Sequence, residues 1–199
     1  MCGRYYIEER DAAEAFGGWL AAMAEGGVSF KSGGEIFPTD TVPVIANSKR
    51  LEAAPFLMQW GYTLEGGKTV INARSETAGV KPMFREGMEK NRCLIPASNY
   101  FEWDRATKEK YSVRPEKSGL FCMAGIYRVE QGRPVFSILT RAPEPEIAFL
   151  HDRMPVLLPK EAEKDFLNLK YRAEDVFKAA AVKVACMPVQ GNRQITLWE

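Results

Sequence analysis

Histidine is almost missing from this chain: His151 is the only one in 199 residues. Cysteine occurs four times, as Cys2, Cys93, Cys122 and Cys186, and no two of them form a Cys-x-x-Cys pair. A zinc site assembled from such ligands is not expected, and neither is any other metal or cofactor. An excess of charge of one sign is lacking too. The formal net charge is +1 and the pI about 7.6. Nucleic-acid binding by bulk charge is thereby excluded, and any such contact must come from a local groove of Arg and Lys. No apolar run approaches the roughly 20 residues that span a bilayer. Arg4, Glu8, Glu9, Arg10 and Asp11 interrupt the start, where a secretory leader would carry its apolar stretch. The expected location is cytoplasmic, with no membrane partner. Hydrophobic residues make up 46% and charged residues 27%, ordinary values that argue against disorder. The length suits one domain over residues 1–199, expected to act as a monomer.

Apolar residues at helical spacing (Ala12, Ala15, Phe16, Trp19, Leu20, Met23) predict a helix over 8–25, weakened by Gly17 and Gly18. Short β-type runs then dominate, at 42–46, 56–62, 70–72, 93–95, 100–103, 111–113, 120–127 and 135–139. Residues 82–90 read as a helix with proline in its first turn. Residues 159–169 read as another, with Pro159 at its start and acidic residues behind it. A third is expected over 173–181, before a return to β at 182–189. This is an α+β pattern. It favours a barrel-like, mostly antiparallel β core with helices packed outside.

Four segments carry chemistry. In Met1-Cys2-Gly3-Arg4-Tyr5, the small second residue permits removal of the initiator Met. That exposes an α-amine beside a thiol, a 1,2-aminothiol. An aldehyde condenses with the amine to an imine, and the thiol then closes a five-membered thiazolidine. At ordinary pKa values of about 7.7–8.0 and 8.5 both nucleophiles are partly available at neutral pH. In VINARSET (70–77), an extended backbone sends Asn72 and Arg74 to one side. Asn72 can orient an amine or sugar oxygen, and Arg74 can take a phosphate. In RCLIPASNYFEW (92–103), Glu102 lies between aromatics, where desolvation raises a carboxyl toward neutrality. In HDRMP (151–155), His151 stands beside Asp152 and Arg153 before a Pro-bounded strand, a place for a titrating group. Cys93, Cys122 and Cys186 sit in apolar, strand-like runs and read as buried thiols acting as small hydrophobes.

Taken with Phe37-Pro38-Thr39, Trp60-Gly61, MFRE (83–86), MAGIY (123–127) and HDRMPVLL (151–158), these segments resemble the SOS-response-associated peptidases. That family includes sensors of abasic sites, and the likeness runs through most of the chain. The resemblance implies an α+β fold with a barrel-like core. It also implies a mature N-terminal cysteine that forms a thiazolidine with the ring-opened sugar of an abasic site in single-stranded DNA, with lyase and self-processing activities alongside. Carried over, Cys2 is the cross-linking nucleophile, Asn72 positions the sugar or amine, Glu102 moves protons, and His151 helps open the sugar. Arg4, Arg74, Arg85 and Arg153 become candidates for the DNA backbone, and Trp103 for base stacking. The chain departs from longer members after Trp60-Gly61, where Thr63-Leu64-Glu65-Gly66-Gly67-Lys68 replaces a tryptophan-containing insertion. Pro188-Val189-Gln190-Gly191-Asn192 keeps the outline of the closing motif.

Two other classes fit parts of the pattern. A thiol peptidase acting on proteins would use Cys2 with His151 as base. A non-covalent reader of modified DNA would need Arg74 and Trp103 but not Cys2.

Overall fold

A computed structural model describes residues 2–117, 119–179 and 182–189. Met1 and the Gln190-to-Asn192 part of the closing motif lie outside the described residues. In chain order the elements are β1 (Tyr5–Ile7), α1 (Glu9–Phe16), α2 (Trp19–Glu25), β2 (Gly34–Ile36), β3 (Thr41–Asn47) and β4 (Ala53–Trp60). A small hairpin, β5 (Tyr62–Thr63) and β6 (Thr69–Val70), leads to β7 (Asn72–Arg74), α3 (Ser75–Ala78) and α4 (Pro82–Lys90). Then come β8 (Arg92–Ala97), β9 (Asn99–Trp103), β10 (Lys110–Pro115), β11 (Phe121–Glu130) and β12 (Arg133–Arg141). The last elements are β13 (Met154–Pro155), β14 (Leu157–Leu158), α5 (Lys160–Leu167), α6 (Ala173–Ala179) and β15 (Val184–Pro188).

Five strands close on themselves in the order β12, β4, β3, β8, β11, with β11 pairing back to β12. Within this α+β barrel every pairing is antiparallel except β4 with β12, and β7 joins the same edge of β12 in parallel. A second sheet runs β15, β10, β9, β1, β2, antiparallel throughout.

Alternation along the strands explains the two cores. On β8, Cys93, Ile95 and Ala97 join the core that fills the barrel and continues under the second sheet, while Leu94 joins the other. On β11, Met123 points one way and Cys122, Ala124 and Ile126 the other. The outer core packs under Phe84 and Met88 of α4, Phe166 and Leu167 of α5 and Val176 of α6. Strand β8 is buried at all six positions because it is covered on both faces.

Local chemistry revises several sequence expectations. The helix expected over 8–25 breaks into α1 and α2 at Gly17, whose φ of 51° no ordinary helical residue adopts. The strand expected over 56–62 ends at Trp60. Gly61 turns there at φ 119°, donates its N–H to the Phe136 carbonyl at 2.7 Å, and leaves no room for a Cβ, which would lie 2.1 Å from Thr69 Cγ2. The run at 70–72 is divided between the β5–β6 hairpin and the barrel edge at β7. Pro159 precedes α5 as its cap rather than opening it. Short β1 and β2, which the sequence pattern did not mark, position the site.

Candidate active site

The antiparallel order β10, β9, β1, β2 brings the starts of β10 and β1 and the ends of β9 and β2 to one edge of the second sheet. Lys110 pairs with Trp103 there, and Phe101 N–H donates to the Arg4 carbonyl at 2.9 Å. Ahead of β1 the chain places Cys2 in the core with Tyr5 and Tyr100, within reach of the Glu102 charge. Thus the segment ahead of β1 and the end of a strand a hundred residues later form one site.

Cys2 is fully buried, although its sequence neighbours are polar. Its Sγ lies 3.9 Å from the Arg4 carbonyl, a weak donated hydrogen bond. Burial, and then the negative charge of Glu102, push the thiol up to about 12, against a smaller opposing effect of the Arg4 carbonyl contact. The thiol is therefore protonated at neutral pH, which corrects the expectation of a partly available thiolate.

Asn72 is delivered by β7, whose pairing with Ile138 fixes its height along the barrel. The indole N–H of Trp60 anchors the preceding residue, donating to the Ile71 carbonyl at 3.0 Å. From this position Asn72 Nδ2 donates to the Cys2 carbonyl at 2.9 Å. Its Oδ1 is buried with no partner among the described residues.

Glu102 is buried on β9 and its charge acts on both the Cys2 thiol and the His151 imidazole. His151 lies just before β13. Its Nδ1 accepts the Arg153 backbone N–H at 3.0 Å and sits 2.6 Å from Asp152 Oδ1. Partial burial, then the positive charge of the chain's amino terminus and of Arg105, lower its pKa against the nearby Glu102 and Asp152. The imidazole is therefore mainly neutral at pH 7. Nδ1 thus faces both a backbone donor and a carboxylate oxygen.

The proposed DNA-backbone residues fall into three settings. Arg4 is at the sheet edge, its guanidinium 4.3 Å from the Phe37 ring centroid and 5.1 Å from that of Trp103. Arg153 is clamped by Glu76, which accepts at 2.8 and 2.7 Å, and donates to the Thr140 carbonyl at 2.5 Å. Arg74 is exposed at the end of β7, close enough for its charge to help lower Glu76. Arg85 is exposed on α4, a helix packed against the barrel's outer wall at β8 and β11. Sequence reasoning missed Glu76, which stands two residues after Arg74 and was detectable as part of VINARSET. It also missed Lys110 and Phe37 as neighbours of Trp103 and Arg4, because only the pairing of distant strands brings them together.

A cavity of about 750 Å³ lined by residues including Phe121, Cys122, Lys160 and Glu163 contains none of the Cys2 site. Among the described residues no helix is long and apolar enough to cross a membrane, and no three His, Cys, Asp or Glu side chains are grouped to hold a metal ion.

Two solved structures share the fold. One is a protein from Bacteroides thetaiotaomicron, with TM-score 0.75 and 22% identity, covering 95% of this chain and 92% of that one. The other is a phage-related protein from Bordetella bronchiseptica, with TM-score 0.73 and 22% identity, covering 96% and 95%. Among curated relatives, the abasic site processing protein YoqW of Bacillus subtilis is 37% identical over 128 residues, 60% of this chain and 57% of that protein. The abasic site processing protein YedK of Escherichia coli is 28% identical over 137 residues, 65% of this chain and 61% of that protein. The matched stretches thus span well under two thirds of those relatives. The family model for "SOS response associated peptidase (SRAP)" matches residues 1–192, and the chain belongs to that family.

Proposed function

We propose that this protein processes abasic sites in single-stranded DNA by forming a covalent thiazolidine through Cys2 once Met1 has been removed. The observation that carries the reading is the convergence of Asn72 and Glu102 on Cys2, with the charge of Glu102 also reaching His151. The names of relatives such as YoqW and YedK support the lesion class.

In this mechanism the Cys2 amine attacks the sugar aldehyde, and the resulting carbinolamine loses one water to give an imine. The thiol adds to the imine carbon and its proton ends on the ring nitrogen. Asn72 Nδ2 holds the Cys2 carbonyl, and Oδ1 accepts from the amine or from a sugar hydroxyl. Glu102 protonates the departing hydroxyl and takes the thiol proton as the sulfur attacks. Neutral His151 assists sugar opening. The same imine is the branch point for strand cleavage by a lyase path.

A thiol peptidase fits less well. A thiolate–imidazolium pair requires a depressed thiol and a raised imidazole, whereas here the thiol is pushed up to about 12 and His151 is lowered.

The test is a denaturing gel of Met1-processed protein mixed with a single-stranded oligonucleotide carrying one abasic site. A shifted band that survives denaturation is expected, in proportion to the Met1-free fraction measured by mass spectrometry. Full adduct formation by a homogeneous Met1-bearing sample would overturn the aminothiol mechanism, because an amide nitrogen cannot form an imine.

A further inference from the structure

The sheet edge beside Cys2 holds three cations and three aromatic rings. Arg4 lies between Phe37 and Trp103, Lys110 Nζ sits 3.7 Å from the Phe101 ring centroid, and Lys31 Nζ sits 4.8 Å from that of Phe37. This is the composition of a surface for single-stranded nucleic acid, with rings for bases and cations for the backbone. Yet one carboxylate stands in its middle. Glu35 on β2 accepts from Arg4 Nη1 at 3.4 Å and from Lys110 Nζ through the same oxygen, Oε1. Lys31 is held separately, donating to Asp40 Oδ2 at 2.8 Å and to the Glu35 backbone carbonyl at 2.9 Å.

We propose that Glu35 is a built-in competitor for the nucleic-acid backbone: its carboxylate occupies the place between Arg4 and Lys110 that a phosphodiester takes in the complex. The proposal rests on the single-stranded DNA reading. Three features support it. The Arg4 guanidinium lies against two aromatic rings, Phe37 and Trp103, and meets Glu35 at Nη1. Arg4 Nε makes no hydrogen bond among the described residues, so the guanidinium is not fully committed to Glu35. The side chains of Arg4, Glu35 and Lys110 are 25–31% exposed, and ion pairs at such exposure are weak enough to exchange. Glu35 therefore keeps the cations neutralised and correctly placed until a phosphate displaces it, which limits binding to undamaged strands.

The test measures the affinity of an undamaged single-stranded oligonucleotide for wild type and Glu35→Gln by fluorescence polarisation at several salt concentrations. Glu35→Gln is expected to bind on the order of tenfold more tightly at low salt, with a log–log salt slope steeper by about one to two as Arg4 and Lys110 become available to release counterions. Adding Lys110→Ala to Glu35→Gln should remove most of the gain. Equal or weaker binding by Glu35→Gln would overturn the proposal and make Glu35 a scaffold for the two cations. Glu35→Asp withdraws the carboxylate by one methylene. It should give a smaller gain of the same sign, and it serves as the test if the glutamine variant does not fold. Wild-type cross-linking to abasic DNA is run in parallel. Cross-linking without a Glu35→Gln gain sinks this proposal alone. A Glu35→Gln gain on intact strands without any cross-linking sinks the abasic-site mechanism and leaves the competitor standing.

Discussion

Cys2 and Cys93 are both completely buried, both belong to the core that fills the barrel, and burial pushes both thiols upward. Burial is the sole cause at Cys93, which sits on β8 beneath Gly125, where an added Cβ would lie 3.1 Å from its Sγ. At Cys2 the causes also include the charge of Glu102, and an Asn72 amide holds the backbone. A buried thiol is thus unremarkable in this molecule. What distinguishes the reactive place is the buried polar groups gathered around it, each of which costs free energy to desolvate. Such a group is retained where the chain gains something other than stability.

The sharpest way to break this comparison is to remove each thiol in turn. Cys2→Ala should abolish the denaturation-resistant adduct on abasic single strands, and Cys93→Ala should retain it. An adduct of equal yield with Cys2→Ala would place the nucleophile elsewhere. Next in size is thiol reactivity. A group held at about 12 carries roughly a thousandfold less thiolate at pH 8 than an unburied thiol at 9.0. Iodoacetamide should therefore modify native Cys2 about that much more slowly than the same residue in denaturant, and the native rate should climb as pH rises toward 12. A native rate within tenfold of the denatured one would show the thiol to be open.

Smaller, and directed at the polar groups, is the separation of Glu102 from His151. Glu102→Gln should slow adduct formation and reversal together by roughly 10–1,000-fold, the usual range for a lost acid or base. His151→Ala should slow formation only, and a pre-opened aldehyde analogue should restore it while leaving Glu102→Gln slow. Rescue of both, or of neither, would reverse the roles. Because His151 is lowered, its neutral form persists below the 6.5 of a free imidazole. The acid limb of the wild-type rate that vanishes in His151→Ala should accordingly lie below that pH.

Most of the barrel was legible because a short apolar, β-branched run is a local signal: the runs at 42–46, 93–95 and 135–139 lie inside β3, β8 and β12. The same signal failed at β1 and β2. Three residues are too few for such a run, and these strands exist because β9 offers Tyr100 and Asn99 as partners for Tyr5 and Tyr6. The site residues were legible as motifs, but their environment was not. Cys2 was read with ordinary nucleophile pKa values, whereas the fold buries it completely within reach of the Glu102 charge. Glu35 carried no signal at all, since its partners Arg4 and Lys110 are 31 and 75 residues away.

The last contrast sets Arg92 against Arg4. Both are cations near aromatic rings, but Arg92 is buried, 7% exposed, and meets no carboxylate in the contacts of its guanidinium. Its Nε donates to the Met88 carbonyl at 2.8 Å, and Nη1 donates to the carbonyls of Phe166 at 3.1 Å and Tyr171 at 2.9 Å. Met88 lies in the last turn of α4 and Phe166 in the last turn of α5. One guanidinium therefore satisfies carbonyls that two helix ends leave without partners, at the negative ends of both dipoles. Arg92→Met would fill a similar volume but leave those acceptors buried and unmet, which costs about 1–3 kcal/mol for each group that water cannot reach. We expect a loss of about 2–4 kcal/mol, read as a fall in Tm on the order of 5–15 °C for a chain of this size. Arg92→Lys should recover only part of it, because an ammonium lacks the planar fork that serves three directions. At a temperature where the variant remains folded, its adduct rate on abasic DNA should match wild type. A slowed rate in a fully folded Arg92→Met would mean that the helix-covered side of the barrel and the Cys2 edge are energetically coupled, and that the two regions do not separate as cleanly as their chemistry implies.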